Sequence, residues 1–269
     1  MIMDHPMPLA ATATLATGRP KISIQGAAKR FGDMVALEGV DLELAENSFT
    51  CLLGPSGCGK STLLNMIAGF AEPSAGRVLV DGVPVQGPSA DRGVVFQEYA
   101  LFPWRTALDN VAFGPMLKGR SKAEQQEVAR RYLALVGLAG HEQKYPGNLS
   151  GGMKQRVAIA RALANDPSVL LMDEPFGALD AQTRETLQEE MLRIWEQDRK
   201  TVVFVTHSIS EAIFLADRVV VMATRPGAVK QVFDIDMPRP RERTDPEFAR
   251  LEREIKLLVR AEVQKLGVI

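Results

Sequence analysis

The chain has 269 residues, 46% of them hydrophobic, and a formal net charge of −1 from 32 basic and 33 acidic residues. This length suggests one large domain or two small ones, and it is enough to bury a substantial core. The near balance of charge argues against a nucleic-acid partner, because such binding usually needs a basic excess on one face. No run of about 18 apolar residues occurs, so we predict that the chain does not cross a membrane by itself.

The N-terminus and the cysteines indicate a protein of a reducing compartment. Residues 1–20 lack the basic start and the continuous apolar core of a signal peptide, so we expect a flexible N-terminal lead. Cys51 and Cys58 have neither CxxC spacing nor the spacing of metal ligands. We therefore predict two reduced thiols, as is usual in the cytosol, and no structural disulfide.

Short β-type segments alternate with helical ones after Lys21, which predicts an α/β fold. Strands are expected at the front of the chain, in "KISIQGAAKRF" and "VDLELAENSFTCLLG". The segment "RVLVDGVPV" places an Asp-Gly turn between two apolar runs, which is a hairpin signal. "GVVFQ" is a further strand, which we expect to end at Gln97.

The middle of the chain changes to a helical pattern, and we interpret roughly residues 98–150 as a helical insertion. Ser121 and Glu124 have the spacing of a capping box at a helix N-terminus. Four apolar residues then share one helix face, namely Val128, Tyr132, Leu135 and Val136. A further helix is predicted in "GMKQRVAIARALAND", which should stop at Asp166 before Pro167.

Three continuously apolar runs predict parallel strands buried on both faces, namely "SVLLMDEP", "TVVFVTH" and "RVVVM". Residues 238–269 then read as a Pro- and Arg-rich linker and a last helix, with Asp245 as its cap and Pro246 in its first turn. One face of that helix carries Phe248, Leu251, Ile255, Leu258 and Val259. A packing helix is the simpler interpretation, and a partner-binding helix is the alternative.

The segment "GPSGCGKST" fits the phosphate-binding pattern G-x-x-x-x-G-K-[ST] at every required position, between an apolar strand and a helical run. Glycines let successive backbone N–H groups point at phosphates, and the helix N-terminus adds roughly half a positive charge. Lys60 should reach the β- and γ-phosphates, and the Ser61 hydroxyl should ligate Mg²⁺. The expected nucleotide-binding residues are Gly54, Pro55, Ser56, Gly57, Cys58, Gly59, Lys60, Ser61 and Thr62.

This loop alone predicts only a P-loop nucleotide-binding protein, so kinases, GTPases and transport ATPases all stay open. In "LLMDEP", Asp173 and Glu174 end the strand that we expect beside the loop. Asp173 suits the acid that holds Mg²⁺ in P-loop enzymes, and Glu174 can act as a general base on the attacking water. The alternative is a pair of acids that solvate a strand end. A kinase would also need an acceptor pocket, and the sequence indicates none.

A second phosphate-type element lies at "LSGGMKQR", where two glycines after Ser150 begin a helix with free N–H donors. This segment resembles the signature motif of ATP-binding-cassette (ABC) ATPases. The order of P-loop, "GVVFQ", signature, "LLMDEP", "GALD" and "VTH" is similar to that family over about residues 21–235. The resemblance implies a head-to-tail homodimer on ATP binding, in which Ser150, Gly151 and Gly152 bind the γ-phosphate held by the opposite copy. A plain loop-to-helix turn is the alternative.

Other positions carry over from the resemblance one at a time. Gln97 matches the glutamine that contacts Mg²⁺ and the attacking water, and Asp180 in "GALD" matches an aspartate that communicates across the dimer. His207 matches the histidine that contacts the γ-phosphate, although a lone histidine after an apolar strand can be structural. Phe31 lies where the family stacks an aromatic ring on adenine. Tyrosine is commoner there, and a core phenylalanine is the alternative.

The resemblance also implies a fold and a setting. Residues 21–237 should form an ABC ATPase domain with a mainly parallel sheet, an N-terminal antiparallel β subdomain and the helical insertion. Transport would need two separate membrane permease subunits, which would dock near the aromatic segment "EYALFPWRT". Local packing of the helical insertion is the alternative for each of its aromatic residues. The segments "PSADRGVVFQ", "LFPW", "ATRPGAV" and "MPRPR" resemble the nitrate, sulfonate and taurine importers. This implies an ATPase at the cytoplasmic face of the inner membrane, and a separate substrate-binding protein that delivers the cargo.

Two other functions stay open at this point. A soluble ABC ATPase, for example in cofactor assembly or DNA repair, is disfavoured by the balanced charge and the lack of inserted domains. An exporter ATPase is disfavoured by the importer-like segments. The ATPase subunit does not touch the cargo, so taurine, alkanesulfonates, nitrate, cyanate, bicarbonate, aromatic acids and pyrimidines all remain candidates.

Overall fold

The computed structural model describes residues 19–265, so the expected flexible lead lies outside the described residues up to position 18. The strands are β1 (Ile22–Phe31), β2 (Met34–Leu44), β3 (Phe49–Leu53), β4 (Ala75–Val80), β5 (Val83–Pro84), β6 (Arg92–Val95), β7 (Val169–Asp173), β8 (Thr201–Thr206), β9 (Arg218–Ala223) and β10 (Ala228–Asp234). The helices are α1 (Lys60–Ala68), α2 (Ala107–Val111), α3 (Phe113–Leu117), α4 (Lys122–Leu135), α5 (Gly151–Leu163), α6 (Ala181–Gln197), α7 (Ile209–Leu215) and α8 (Pro246–Gln264). A short 3-10 helix spans Pro146–Asn148.

The N-terminal part is an antiparallel sheet with the strand order β2-β1-β4-β5. Its hairpin between β4 and β5 turns at Asp81 and Gly82, whose φ angles are 53° and 77°. Positive φ at both central residues is typical of tight hairpin turns, and Asp-Gly is a preferred pair there. The predicted hairpin is therefore confirmed.

The second sheet has the strand order β10-β9-β3-β8-β7-β6. All neighbours from β9 to β6 are parallel, so their carboxyl ends share one edge. The strand with the two acids, β7, ends beside the P-loop, as predicted, since Ser61 contacts Asp173 there, although β8 lies between β7 and β3 in the sheet. Strand β6 ends at Val95, so Gln97 lies in the following loop rather than at the strand end. The antiparallel edge strand β10 was not predicted.

The chain between β6 and β7 is helical, as predicted, although two five-residue helices precede the longer α4. Ser121 and Glu124 form the predicted capping box at the start of α4, which is confirmed. The side chain of Asn110 is fully buried and holds the loop before α2. Its Nδ2 donates to the carbonyl oxygens of Phe102 (3.2 Å) and Arg105 (3.1 Å), so this aromatic loop has a fixed shape.

Two apolar cores lie on the two sides of the six-stranded sheet. One core joins that sheet to α1 and to the antiparallel sheet, and it includes Ile22, Leu52 and Leu63. The other core lies under the remaining helices and contains Phe49 and Trp195. The rings of these two residues meet edge to face with centroids 5.7 Å apart, a favoured arrangement for aromatic pairs.

Helix α8 packs against the second core through its predicted apolar face. The residues of this face are Phe248, Leu251 and Ile255, which are buried, and Leu258 and Val259, which are partly buried. Asp245 is the N-cap and Pro246 lies in the first turn, as predicted. The packing interpretation of this helix is therefore confirmed. None of the helices between residues 19 and 265 has both the length and the apolar character that a membrane crossing requires.

Candidate functional site

The P-loop forms the turn between β3 and α1, at the edge where the parallel strands end. Gly57 and Gly59 have φ angles of 80° and 92°, a region that favours glycine. A Cβ atom on Gly59 would lie 2.5 Å from Cδ2 of Leu37, so a side chain also has no room there. Lys60 is the first residue of the nine-residue helix α1. Glycine backbone and a helix N-terminus together suit the binding of an anion.

The side chain of Lys60 folds back onto the P-loop. Its ammonium donates hydrogen bonds to the carbonyl oxygens of Gly54 (2.8 Å) and Pro55 (3.0 Å), and the residue is only 5% exposed. Cys58 is buried in the same loop, and burial raises the pKa of its thiol. Cys51 and Cys58 are both free thiols, as predicted. Because its pKa is raised, the Cys58 thiol is a poor nucleophile at neutral pH.

Ser61 and Asp173 lie together, although β8 lies between β3, which precedes the P-loop, and β7, which ends at Asp173. Ser61 Oγ donates a hydrogen bond of 2.9 Å to Oδ1 of Asp173. Burial raises the pKa of the Asp173 carboxyl, and the hydrogen bond from Ser61 opposes this effect. Hydroxyl and carboxylate oxygens are ligands that Mg²⁺ prefers. Within residues 19–265, no group of three or more His, Cys, Asp or Glu side chains could hold a metal ion by itself.

Glu174 and His207 form a second pair at this edge. Nδ1 of His207 lies 3.0 Å from Oε2 of Glu174. Glu174 has a φ of 42°, which is uncommon for a residue with a side chain. Its N–H donates to the carbonyl oxygen of Val205 in β8 (3.0 Å). The backbone thus turns directly after Asp173, so two consecutive acids serve two different neighbours, Ser61 and His207.

Gln97 and Glu174 both lie close to Gly177. A Cβ atom on Gly177 would lie 3.6 Å from Nε2 of Gln97 and 3.8 Å from Oε2 of Glu174. The two polar side chains therefore flank Gly177. The structure brings Gln97, Glu174 and His207 to one small region, although they follow three different strands.

A buried polar network lies behind His207, and it was not predicted from the sequence. Thr206 Oγ1 donates to Oε2 of Glu211, and Gln188 Nε2 donates to Oε1 of the same carboxyl (2.8 Å). Arg243 Nη2 in turn donates to Oε1 of Gln188 (2.6 Å). Burial raises the pKa of the Glu211 carboxyl. A capping-box spacing from Ser208 to Glu211 is visible in the sequence, but nothing in it indicates that the acid is buried.

A cleft of about 730 Å³ brings together Lys60 and Ser61 of the P-loop with Glu174. The P-loop forms one wall, Phe31 and Met34 form a second, and Arg225 forms part of a third. Phe31 is 50% exposed, and the ammonium of Lys29 lies 5.3 Å from the centroid of its ring. An exposed ring at the mouth of a phosphate-binding cleft suits the stacking of a base, which a buried core phenylalanine could not provide. The contribution of Arg225 was not predicted.

The signature segment lies outside this cleft in the single chain. Ser150 is the N-cap of α5, and its hydroxyl accepts a hydrogen bond from the N–H of Met153 (3.3 Å). A Cβ atom on Gly152 would lie 2.8 Å from Cγ2 of Thr183 on α6. Asp180 caps that helix by accepting from Thr183 N–H (3.0 Å), and this hydrogen bond lowers the pKa of its carboxyl. The signature and the "GALD" segment are therefore packed together, with Ser150 exposed to solvent.

The aromatic loop before α2 presents a second exposed surface. Trp104 is 72% exposed, and its ring lies 5.8 Å from that of Phe102. Phe102 packs on Phe113 with centroids 4.7 Å apart, and the Arg161 guanidinium lies 5.5 Å from the Phe102 ring. Trp104 therefore stands on a rigid aromatic base.

The fold and the site together define a P-loop ATPase. Comparison with known proteins then identifies the family. The sequence pattern of the family described as ABC transporter matches residues 37–177. An uncharacterized ABC transporter ATP-binding protein of Methanocaldococcus jannaschii is 55% identical over 91% of this chain and 93% of that protein. The chain belongs to the ABC transporter family, as the ATP-hydrolysing subunit.

Two named relatives and one solved structure agree with this assignment. The nitrate import ATP-binding protein NrtD of Synechococcus elongatus is 53% identical over 83% of this chain and 84% of that protein. The taurine import ATP-binding protein TauB of Rhizobium johnstonii is 50% identical over 86% and 92%. The dimeric, post-hydrolysis state of the ATP-binding cassette MJ0796 bound to ADP and Pi has a TM-score of 0.71 and 34% identity, covering 81% of this chain and 100% of that one.

Proposed function

We propose that this chain is the ATPase subunit of a membrane importer for a small anion, such as nitrate, taurine or another sulfonate. The likeness to nitrate and taurine import proteins supports the importer class and the anionic cargo. One structural observation carries the chemistry. Lys60, Ser61 and Glu174 line the cleft whose mouth carries the exposed ring of Phe31, and Asp173 and His207 lie directly behind Ser61 and Glu174.

ATP lies in this cleft with its adenine on Phe31 and its phosphates in the P-loop. The ammonium of Lys60 exchanges the carbonyl oxygens of Gly54 and Pro55 for phosphate oxygens, which are stronger, charged acceptors. The other P-loop residues except Pro55, which has no N–H, contribute backbone N–H groups, together with the hydroxyls of Ser61 and Thr62. The glycine backbone of the loop and the fixed position of α1 support this assignment.

Mg²⁺ is the metal that fits the oxygen atoms at the base of the cleft. Ser61 Oγ, Asp173 and the amide oxygen of Gln97 would hold it, together with phosphate oxygens and water. When bound, the ion neutralises charge on the phosphates. The hydrogen bond of 2.9 Å between Ser61 and Asp173 supports this assignment, because two hard oxygen ligands already face each other.

Glu174 is the general base for hydrolysis. Its carboxylate takes a proton from the attacking water as the water oxygen bonds to the γ-phosphorus and the bond to the β-phosphate oxygen breaks. His207, 3.0 Å away, orients this carboxylate and contacts the γ-phosphate, and Gln97 positions the water. General-base catalysis of this kind typically contributes a factor of about 10² to 10⁴ in rate.

Two copies of the chain complete each site. Ser150 is exposed and lies outside its own chain's cleft, so the α5 N-terminus is free to meet a nucleotide held by a second copy. Ser150, Gly151 and Gly152 then contact the γ-phosphate across a two-fold interface, and Asp180 communicates between the sites. The likeness to a dimeric cassette with bound ADP and Pi supports this arrangement.

The membrane partners are two permease subunits, and the ATPase dimer sits on them at the cytoplasmic face of the inner membrane. The exposed aromatic loop with Trp104 is the docking surface, because exposed aromatic anchors are typical centres of binding energy. A substrate-binding protein acts indirectly, by delivering the anion to the permeases from the opposite face.

Uptake into proteoliposomes tests this function. The chain is reconstituted with its two permeases, and labelled nitrate, taurine and bicarbonate are offered with the substrate-binding protein and with internal ATP. We expect inward, ATP-dependent accumulation of one of these anions. Movement of the anion from the ATP-containing interior of the vesicles to the outside would identify an exporter. If the chain hydrolyses ATP steadily but binds no membrane protein with several spans, it is a soluble ATPase.

A further inference from the structure

The segment between β9 and β10, Thr224–Gly227, forms the third wall of the cleft. The N–H of Gly227 donates to the carbonyl oxygen of Ala36 (3.2 Å), and the N–H of Glu38 donates to the carbonyl oxygen of Gly227 (2.9 Å). A Cβ atom on Gly227 would lie 2.4 Å from the carbonyl oxygen of Cys58. Gly227 is thus wedged between β2 and the P-loop, which fixes this wall against both.

Arg225 lies two residues before that wedge and lines the cleft. Its φ is 50°, a left-handed conformation that costs a residue with a side chain roughly 1–2 kcal/mol. The surrounding structure must impose this conformation, and such outliers concentrate at functional sites.

The charge of Arg225 has no internal partner among residues 19–265. Two neighbouring arginines do have one: Arg218 pairs with Asp234 (2.7 Å), and Arg239 pairs with Asp217. For Arg225, no carboxylate of the described residues lies within the 4 Å of an ion pair. Its exposed guanidinium therefore adds a positive charge without an ion-pair partner to a cleft that already holds the ammonium of Lys60 and the carboxylate of Glu174.

The residue before Arg225 is held by the last turn of α8. Thr224 N–H donates to Oε2 of Glu262 (3.0 Å), and Thr224 Oγ1 donates to the carbonyl oxygen of Glu262 (3.2 Å). Glu262 is fully buried, and its other oxygen accepts from Lys265 (2.6 Å) and lies 3.8 Å from Lys230. A buried carboxylate with these partners is satisfied, so it holds Thr224 firmly.

We propose that Arg225 binds the polyphosphate of the nucleotide, and that Glu262 in the C-terminal helix is the positioning residue that holds Arg225 at the cleft. This inference rests on the proposed function, since it takes the cleft to hold ATP. A guanidinium forms two parallel hydrogen bonds to phosphate oxygens, which a lysine ammonium cannot reproduce. The C-terminal helix thereby becomes part of the nucleotide site without touching the ligand.

The first test compares Arg225→Ala and Arg225→Lys with Arg130→Ala, which removes an exposed arginine from α4, outside the cleft. The affinities for ATP, ADP and AMP are measured with Mg²⁺. We expect Arg225→Ala to weaken ATP binding about tenfold or more, ADP binding less, and AMP binding little. Arg225→Lys should recover only part of the loss. If Arg225→Ala bound ATP as tightly as Arg130→Ala does, the proposal would be overturned. An equal loss of affinity for ATP, ADP and AMP would also overturn it, because Arg225 would then contact a part of the nucleotide that all three share.

The second test concerns Glu262. Glu262→Gln keeps the side-chain shape and weakens the contact to Thr224, so we expect a several-fold loss of ATP affinity. The double variant with Arg225→Ala should lose no more than Arg225→Ala alone, because both changes act through one side chain. Additive losses would overturn the positioning role. Ile255→Val is the matched control, since it loosens α8 elsewhere and should lower Tm without changing ATP affinity.

A wrong nucleotide cleft and a wrong role for Arg225 would give different results. If the unaltered chain bound no nucleotide, the proposed cleft itself would be wrong. The same would follow if Lys60→Ala bound ATP as tightly as the unaltered chain does. If the unaltered chain binds and hydrolyses ATP while Arg225→Ala behaves like Arg130→Ala, only the role of Arg225 is wrong.

Discussion

Nδ1 of His207 lies 3.0 Å from Oε2 of Glu174, and the two residues follow neighbouring parallel strands, β8 and β7. The preceding acid, Asp173, meets Ser61 instead. Two adjacent carboxylates therefore have separate partners, which is the arrangement that a metal-binding acid and a general base need. The division depends on the left-handed backbone of Glu174.

Glu174→Gln should preserve ATP binding, slow hydrolysis by a factor of about 10² to 10⁴, and trap a dimer with ATP bound. The amide keeps the shape of the side chain but cannot accept the proton of the attacking water. Phosphate release and sedimentation of the ATP-loaded protein measure the two effects. Glu189→Gln, on the exposed face of α6, is the control and should hydrolyse ATP normally. Near-normal turnover of Glu174→Gln would contradict the assigned base.

Ser150→Arg should block turnover while leaving the ATP affinity of the monomer nearly unchanged. The side chain is exposed and lies away from its own chain's cleft, so a bulky cation there obstructs only a nucleotide held by the second copy. The change also removes the cap on Met153 N–H, which is worth about 1 kcal/mol of stability. Ser150→Ala removes the same cap and hydroxyl without the bulk, so it should retain more turnover than Ser150→Arg and measures the loss due to the missing hydroxyl. A collapse of monomer affinity would mean that the signature acts within one chain.

Phe31→Ala should weaken ATP binding about fivefold or more, because stacking on a base is worth about 1–3 kcal/mol. Its effect on Tm should be small, since the ring is 50% exposed. Phe70→Ala is a matched control with the same exposure, stacked on Phe96 with centroids 6.1 Å apart. Phe31→Tyr should bind ATP normally. A lowered Tm with unchanged affinity in Phe31→Ala would favour a structural phenylalanine.

Glu211→Gln should change how stability depends on pH. The pKa of this carboxyl is raised in the folded state by burial. Its stabilising contribution is therefore complete below the ordinary pKa of glutamate and is lost as pH rises through the raised pKa. The free energy of unfolding of Glu211→Gln relative to the unaltered chain should accordingly improve with rising pH. Urea unfolding at a series of pH values measures this difference, and a difference that stays constant would contradict the prediction.

Ile255→Ala should lower the free energy of unfolding by about 2–5 kcal/mol, because the side chain is fully buried in the second core. Leu257→Ala, two residues further on the same helix, removes a side chain that is 62% exposed and should cost less than about 0.5 kcal/mol. Equal effects of the two changes would mean that α8 is held mainly by something other than this face.

Local sequence patterns predicted many of the helices, strands and turns, because each pattern reflects a constraint that acts within a few residues. The P-loop glycines, the capping box at Ser121 and the apolar runs of β7, β8 and β9 all reflect constraints that act over a few residues. The order of parallel strands is different, since helical crossovers can place them in several orders. The position of β8 between β3 and β7 was therefore not predictable from the runs themselves.

The features missed in the sequence depend on contacts between distant residues. Strand β10 carries exposed Lys230 and Gln231 and is ordered by pairing with β9, so its pattern is weak. The sequence around Glu211 is typical of an exposed acid, but in the structure Thr206 and Gln188 donate hydrogen bonds to its buried carboxyl. The pairing of Thr224 with Glu262 spans 38 residues and leaves no local trace.

The cleft takes Phe31 from the antiparallel sheet, the P-loop from the six-stranded sheet, and Gly227 from a loop much later in the chain. During synthesis, a growing polypeptide cannot form all three walls until Gly227 has left the ribosome. Ligand that binds only the finished cleft stabilises the fold by mass action, so ATP can act as a folding aid only after the loop with Gly227 has emerged. ATP would not stabilise a chain truncated before Gly227, whatever the ATP concentration in the cell.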